Sequence, residues 1–381
     1  MKRILSLIIC FMMTVLSVPT VKAQEEIMPF DVEAKSAVLM DAKTGTVLYA
    51  KEPDTPLPPA SVTKIMTLLL VFEEIDSGKM KMSDMVYVSE YAASMGGSQV
   101  FLEAGEEMTV EDMLKSVVIS SANDAAVALA ETVAGSEEAF VDRMNKRAAE
   151  LFMKNTSFEN VTGLDDDTKN HTISAYDIAI ASRELITKHP TILKYSSIWM
   201  DTIRNGEFGL TNTNRLIRFY NGATGLKTGS TSKAGFCISA TAKRDGIHLI
   251  AVVMGSETRD IRNNTAKKLL DFGFANYTVY EKKKCDGEPI KVMKGTAESV
   301  KTEIRSFSAL LDKESADKVE IKTEYKGKIT APVKKGDTLG TASYFADGKL
   351  IGKADIVAKE SIKEIGFADI LIRMIRAYFL Q

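Results

Sequence analysis

The chain has 381 residues, enough for two domains or three. Hydrophobic residues make up 45% and charged residues 26%, with 24 Gly and only 9 Pro, which excludes a disordered, collagenous or polytopic membrane chain. Lys+Arg at 49 against Asp+Glu at 51 gives a net charge of −2 and no basic surface for nucleic acid; three Cys exclude a disulfide scaffold or Cys-rich metal site, and three His leave little for a His-based one.

Lys2 and Arg3 precede an apolar run over residues 4–18, followed by Pro19 and Val21-Lys22-Ala23. This is the pattern of a secretory signal peptide, residues 1–23, cleaved after Ala23. The run of about 15 residues is short for a membrane span; an uncleaved N-terminal anchor is the alternative. Cleavage removes Cys10 and leaves a mature charge of −5. Cys237 and Cys285 then remain, expected as free thiols, with a disulfide as the alternative.

Residues 36–41 and 46–50 alternate apolar and polar around Ala42-Lys43-Thr44-Gly45, which reads as a β-hairpin. A Pro-rich loop, 53–59, leads to a helix over about 61–77, closed by Gly78. Thr109 and Asp112 form a capping-box pattern for a helix to about Ile119. The turn Ser120-Ser121-Ala122-Asn123 opens a helix ending near Gly135, and residues 136–152 are helical. Ser174 and Asp177 cap another helix to about Lys188. Strands are expected at 222–230, 236–243 and 247–254, then a helix near 258–272. Strands at both ends with helices between them imply a sheet covered by helices, over residues 24–280. Past Glu281-Lys282-Lys283-Lys284, short alternating stretches broken at Lys335-Gly336-Asp337 and Asp347-Gly348 indicate a small all-β domain, 281–364.

Three motifs carry chemistry. Ser61-Val62-Thr63-Lys64 is an S-x-x-K, matched elsewhere at 230–233 and 315–318. Residues i and i+3 share a helix face, so Ser61 and Lys64 can touch. Ser61 sits at a helix start, where N–H groups and the dipole favour negative charge. The helix reads apolar on every side, hence buried, and burial lowers a lysine pKa. A partly neutral Lys64 is then a general base for the Ser61 hydroxyl; the bland reading is an N-cap serine and a snorkelling lysine. Ser121-Ala122-Asn123 is an S-x-N, whose hydroxyl can relay a proton and whose amide can hold a substrate carbonyl or orient a lysine, or which merely caps a turn. Lys227-Thr228-Gly229 is a K-T-G on a strand with Gly225, suited to bind a carboxylate. An earlier copy, Lys43-Thr44-Gly45, belongs to the hairpin turn. Asp165-Asp166-Asp167 reads as a solvated loop.

In the order S-x-x-K, S-x-N, K-T-G the set is that of penicillin-binding proteins and class A β-lactamases. With Pro59 to Thr67, Ser121 to Ala126, Asn160-Val161-Thr162-Gly163-Leu164, Gly225 to Gly229 and Lys233-Ala234-Gly235-Phe236, the chain resembles the serine-type D-alanyl-D-alanine carboxypeptidases, the low-molecular-mass penicillin-binding proteins, over residues 36–277. The resemblance implies an α/β (α+β) serine-transpeptidase/β-lactamase-like domain, with an antiparallel sheet flanked by helices. It implies removal of the terminal D-Ala from peptidoglycan pentapeptides or D-Ala-D-Ala precursors, without metal or cofactor, and covalent inhibition by β-lactam antibiotics. Ser61 would be the nucleophile, Lys64 its base, Ser121 and Lys227 proton relays, Asn123 a substrate holder and Thr228 the carboxylate ligand. The N–H groups of Ser61 and Ser230 would form the oxyanion hole. Ala122 replaces a Gly frequent in the family. Ser230 stands where some members have His, and Asn212-Thr213-Asn214-Arg215-Leu216 replaces a segment bearing a carboxylate-gripping Arg. The reach of Arg215 and the activator of the hydrolytic water are left open. The rival activities are a β-lactamase and an inactive wall-binding scaffold.

The tail, residues 365–381, places Asp369, Arg373 and Arg376 on one stripe of an otherwise apolar helix. It is expected to lie on the outer membrane surface, or else to pack on the β domain.

Overall fold

The computed structural model describes residues 30–166 and 168–379. The expected leader, Asp167 and the side chains of Arg373, Arg376 and Phe379 lie outside what is described.

A five-stranded antiparallel sheet forms the centre of the first region, in the order Val47–Lys51, Ser36–Asp41, Ile247–Ser256, Gly235–Arg244, Ala223–Thr231. The strands of this sheet that come first and last in sequence pair with each other inside it: Ser36 lies opposite Met254 and Asp41 opposite Leu249. Alternate residues serve opposite faces. Val38, Met40, Ile250, Val252 and Met254 join the larger core with the helices of residues 64–188, while Ala37, Leu39, Leu249, Ala251 and Val253 pack against Ala266, Leu269 and Leu270 of the helix Arg259–Asn276. Ser36–Asp41 is therefore buried along its whole length, although alternation alone suggests one wet face.

The expected caps form. Thr109 Oγ1 accepts the Asp112 N–H at the start of Val110–Ile119, and Ser174 Oγ accepts the Asp177 N–H at the start of Ala175–Lys188. Gly135 ends Asn123–Ala134 in the left-handed conformation that favours glycine. The 61–77 expectation needs one correction. Ser61 lies in a tighter turn, Ala60–Thr63, and the α-helix runs Lys64–Asp76. Ala60 has φ +48°, so the chain enters at an angle that delays the α geometry.

The strand Tyr277–Lys282 crosses the position where composition changes and pairs with Phe307–Asp312. The following region holds a second five-stranded sheet, ordered Cys285–Asp286, Thr302–Ile304, Lys349–Ala358, Thr338–Ala346, Glu320–Tyr325, and a small three-stranded one. Its apolar residues form two small clusters, around Val300 and Val333 and around Tyr344 and Ile356. A short helix, Lys313–Ala316, interrupts an otherwise β region. Cys237 and Cys285 are both free. The last element is the helix Phe367–Phe379, with Phe367 and Tyr378 both more than 80% exposed.

Candidate active site

Three elements converge on one cleft of about 610 Å³: the turn Ala60–Thr63, the loop before Asn123–Ala134, and the sheet-edge strand Ala223–Thr231. Ser61, Ser121, Thr228, Gly229 and Ser230 line it, with Trp199, Arg215, Phe219, Arg259 and Arg262 on one side. Lys64, Asn123 and Lys227 form its buried floor, all at most 2% exposed.

The tight turn presses against the edge strand. A Cβ on Gly229 would lie 2.7 Å from the Ser61 backbone N, so only glycine allows this approach. The segment Asn160 to Leu164 closes the other side. A Cβ on Gly163, whose φ is +83°, would lie 1.9 Å from the Ala60 carbonyl oxygen. Thr63 Oγ1 donates to that carbonyl at 2.9 Å and lies 2.8 Å from His171 Nε2. The Glu159 N–H donates to His171 Nδ1, so the ring proton sits on Nε2 and points at Thr63. Burial pulls His171 down to about 4, which keeps the ring neutral.

Lys64 Nζ lies 2.9 Å from Ser61 Oγ, 2.6 Å from Asn123 Oδ1 and 2.8 Å from the Thr162 carbonyl oxygen. Its pKa is held well below the ordinary lysine value, first by burial and then by the Lys227 charge, with Asp124 opposing. A neutral amine has two N–H groups and one lone pair. Asn123 Oδ1 and the Thr162 carbonyl can only accept, so they take the two N–H groups. The lone pair is left facing Ser61 Oγ. Asn123 Nδ2 in turn donates to the Gly96 carbonyl at 2.6 Å, which fixes the amide.

Lys227 Nζ donates to Ser121 Oγ at 2.7 Å and to the Thr228 carbonyl at 3.0 Å. Burial, then the Arg262 charge, lowers it to about 7. Ser121 is held at φ +64°, in the left-handed region, with its hydroxyl at the cleft. Thr228 Oγ1 donates to Thr213 Oγ1 at 2.8 Å, and Ser230 is exposed at the strand end. The structure thus gathers all seven residues expected from the motifs around one cleft and adds Arg215 to its wall. The competing lysines point elsewhere: Thr44 of the earlier K-T-G is bound to Asp41 within the hairpin, and although Ser230 lines the cleft, Lys233 of the second S-x-x-K donates to the Asp165 carbonyl.

Asp165 is a correction. It is 7% exposed and accepts a hydrogen bond from Thr231 Oγ1, so this acidic stretch begins as a packed tie to the strand end rather than a solvated loop. Motif reading also missed the Gly96 and Thr162 carbonyls, the Gly163 contact, Thr213 and Arg262. Asn160 to Leu164 stood out as a stretch, but a backbone acceptor has no residue signature.

Comparisons with known proteins agree with this geometry. Residues 20–258 match the family model of D-alanyl-D-alanine carboxypeptidases, and residues 274–364 match that of the penicillin-binding protein 5 C-terminal domain. The chain is 45% identical to the D-alanyl-D-alanine carboxypeptidase DacF of Bacillus subtilis, over 98% of both chains. It is 33% identical to penicillin binding protein 5 of Haemophilus influenzae, with a TM-score of 0.76 over 89% of this chain and all of that one. Penicillin-binding protein D2 of Listeria monocytogenes, solved in its ampicillin-bound form, is 32% identical with a TM-score of 0.56, over 64% of this chain and 98% of that one. The chain belongs to the D-alanyl-D-alanine carboxypeptidase family of penicillin-binding serine hydrolases.

Proposed function

We propose that this chain is exported and removes the terminal D-alanine from peptidoglycan pentapeptide stems through an acyl-enzyme on Ser61. The observation that carries this reading is the buried Lys64 Nζ, 2.9 Å from Ser61 Oγ and held from its other sides by two obligate acceptors, Asn123 Oδ1 and the Thr162 carbonyl. Ser61 Oγ attacks the penultimate D-Ala carbonyl carbon while its proton passes to Lys64. The oxyanion is met by the N–H groups of Ser61 and Ser230. The C–N bond then breaks, and the D-Ala amine leaves with a proton delivered through Ser121 and Lys227. Water hydrolyses the ester and frees Ser61. Thr228 and the cationic wall of the cleft receive the terminal carboxylate, and Asn123 holds the substrate's amide side while it fixes Lys64.

The division of labour follows the chain: residues 24–280 for catalysis, 281–364 as a β-rich spacer, and 365–381 as a membrane-surface helix that keeps the enzyme at the outer face of the bacterial cytoplasmic membrane. Thirteen helical residues in Phe367–Phe379 reach about 20 Å, and no helix among the described residues is long and apolar enough to cross a membrane. Ile370, Leu371, Ile372, Met374 and Ile375 leave 43–65% of their surfaces uncovered, which suits an interfacial helix. Mass spectrometry after penicillin treatment tests the core of the reading. A single covalent adduct is expected, absent in Ser61→Ala; an adduct persisting in that variant would overturn the assignment.

A further inference from the structure

Two backbone carbonyls orient the catalytic amine: Thr162 O takes one Lys64 proton directly, and Gly96 O holds Asn123, which takes the other. They belong to segments far apart in sequence. Neither segment is a strand or helix at that point, so something must hold each in place. Val161 O accepts from Thr67 Oγ1 at 2.7 Å, and the Asn123 N–H donates to Ser98 O at 2.7 Å. One side chain touches both segments. Glu137, the first residue of the helix Glu137–Glu150, is 9% exposed. Its Oε1 accepts the Val161 N–H at 2.9 Å, one residue before Thr162. Its Oε2 accepts the Tyr91 O–H at 2.5 Å, on the short helix Glu90–Ala93 that leads into Gly96. Tyr91 is pushed well above the usual phenol range, first by this bond, so it keeps the proton it donates.

We infer that Glu137 is a positioning residue: its carboxylate clips the Tyr91 segment to the Val161 segment and so fixes the two carbonyls that aim the Lys64 lone pair at Ser61. The geometry has a chemical consequence. Thr162 O and Asn123 Oδ1 can bind Lys64 both as ammonium and as amine, but they accept more strongly from the ammonium. If the clip opens and an acceptor drifts, the charged form loses more than the neutral one. The acid limb of the acylation profile then moves to lower pH, while the plateau falls because the lone pair is no longer aimed.

The inference rests on Ser61 and Lys64 carrying acylation as proposed above. The experiment measures the rate of labelling by a fluorescent penicillin between pH 5 and 10, with melting temperatures alongside, as roughly the span over which depressed lysines titrate. Glu137→Ala is expected to lose about tenfold at the plateau, since small misplacements of reacting groups carry penalties of this order, and to show the acid limb displaced downward. Glu137→Gln has the same shape and can accept from the Val161 N–H while its amide donates to Tyr91. It should recover most of the rate and the wild-type limb. Glu137→Ala with wild-type rate and limb overturns the inference. So does Glu137→Gln as impaired as Glu137→Ala, because charge rather than the clip is then at work. If Glu137→Ala does not fold, Tyr91→Phe decides: the Tyr91 side chain is half-exposed, and the variant cuts one tether only. It should lose about threefold, short of the full misplacement penalty, and wild-type behaviour there overturns the clip. Ser61→Ala runs in parallel. Labelling that persists in it defeats the site reading, whereas labelling lost in Ser61→Ala but intact in the Glu137 and Tyr91 variants defeats only the positioning role.

Discussion

The catalytic region buries Lys64, Lys227 and Arg262 at 3% exposure or less. In the β-rich region that follows, every lysine and the one arginine between residues 281 and 364 is exposed. The residue types are the same; the surroundings differ. Lys64 and Lys227 sit between two packed layers, where burial strips their water and favours the neutral amine. Lys322 or Lys349 lies on a sheet with two small apolar clusters, where the side chain stays exposed and water stays close. A large two-faced core therefore does more than stabilise. It supplies the low-dielectric setting in which a lysine becomes a base near neutral pH, and the small domain cannot supply one.

Replacing the amine gives the largest contrast. Lys64→Ala should slow penicillin acylation by about 10² to 10⁴, the usual span of general-base catalysis. Lys233→Ala, in the second S-x-x-K, should retain most of the rate, because its amine reaches the Asp165 carbonyl and not a hydroxyl of the cleft. Stopped-flow acylation of the two variants checks this, and comparable losses would show that the wrong tetrad was chosen.

Glycines sharpen the comparison next. Gly163→Ala sets a Cβ against the Ala60 carbonyl beside the nucleophile, and should lower acylation by about tenfold or more by displacing the turn. Gly352→Ala sets one 2.5 Å from the Phe307 ring in the second region. It should lower the melting temperature while acylation stays within about twofold of wild type, since distant sites act independently. A Gly352→Ala enzyme with crippled acylation would mean the regions are coupled more tightly than their separate cores suggest.

The pH dependence of stability comes third. Burial, then the Arg262 charge, holds Lys227 down to about 7 in the folded chain, against 10.5 for an ordinary lysine. Below the folded value both states carry the proton, and the native state bears the full cost of a buried charge. Between the two values the unfolded chain binds a proton that the native chain does not, so stability rises with pH. Lys227→Met should therefore gain most, relative to wild type, below pH 7 and lose that advantage toward pH 10.5. Lys322→Met, on the exposed sheet, should leave the slope unchanged. Urea midpoints across this range decide it, and equal slopes in both variants would contradict the buried-charge account.

The smallest expected effect on chemistry comes from the tail. Deleting residues 366–381 should leave penicillin labelling unchanged and release the enzyme from vesicles of anionic lipid. A truncated chain that still sediments with vesicles, or that unfolds, would favour a packed tail instead.

Local sequence carried much of this structure. Thr109 and Ser174 sit in front of apolar periodic runs, and each accepts the expected N–H within its own turn. The hairpin at 42–45 is also closed locally, by Asp41 accepting from Thr44. The three motifs named the nucleophile, the amines and the amide, because each role demands a particular side chain. What the chain alone did not disclose depends on contacts between distant segments. Burial of Asp165 follows from Thr231, and the tight turn at Ser61 is enforced by Gly163 and Gly229 from two other elements. The carbonyls of Gly96 and Thr162 can belong to any residue, so no spacing marks them. Side-chain chemistry is written in the residue itself. The direction of a lone pair is set by which backbone groups the fold brings to it, and only the packed tertiary structure decides that.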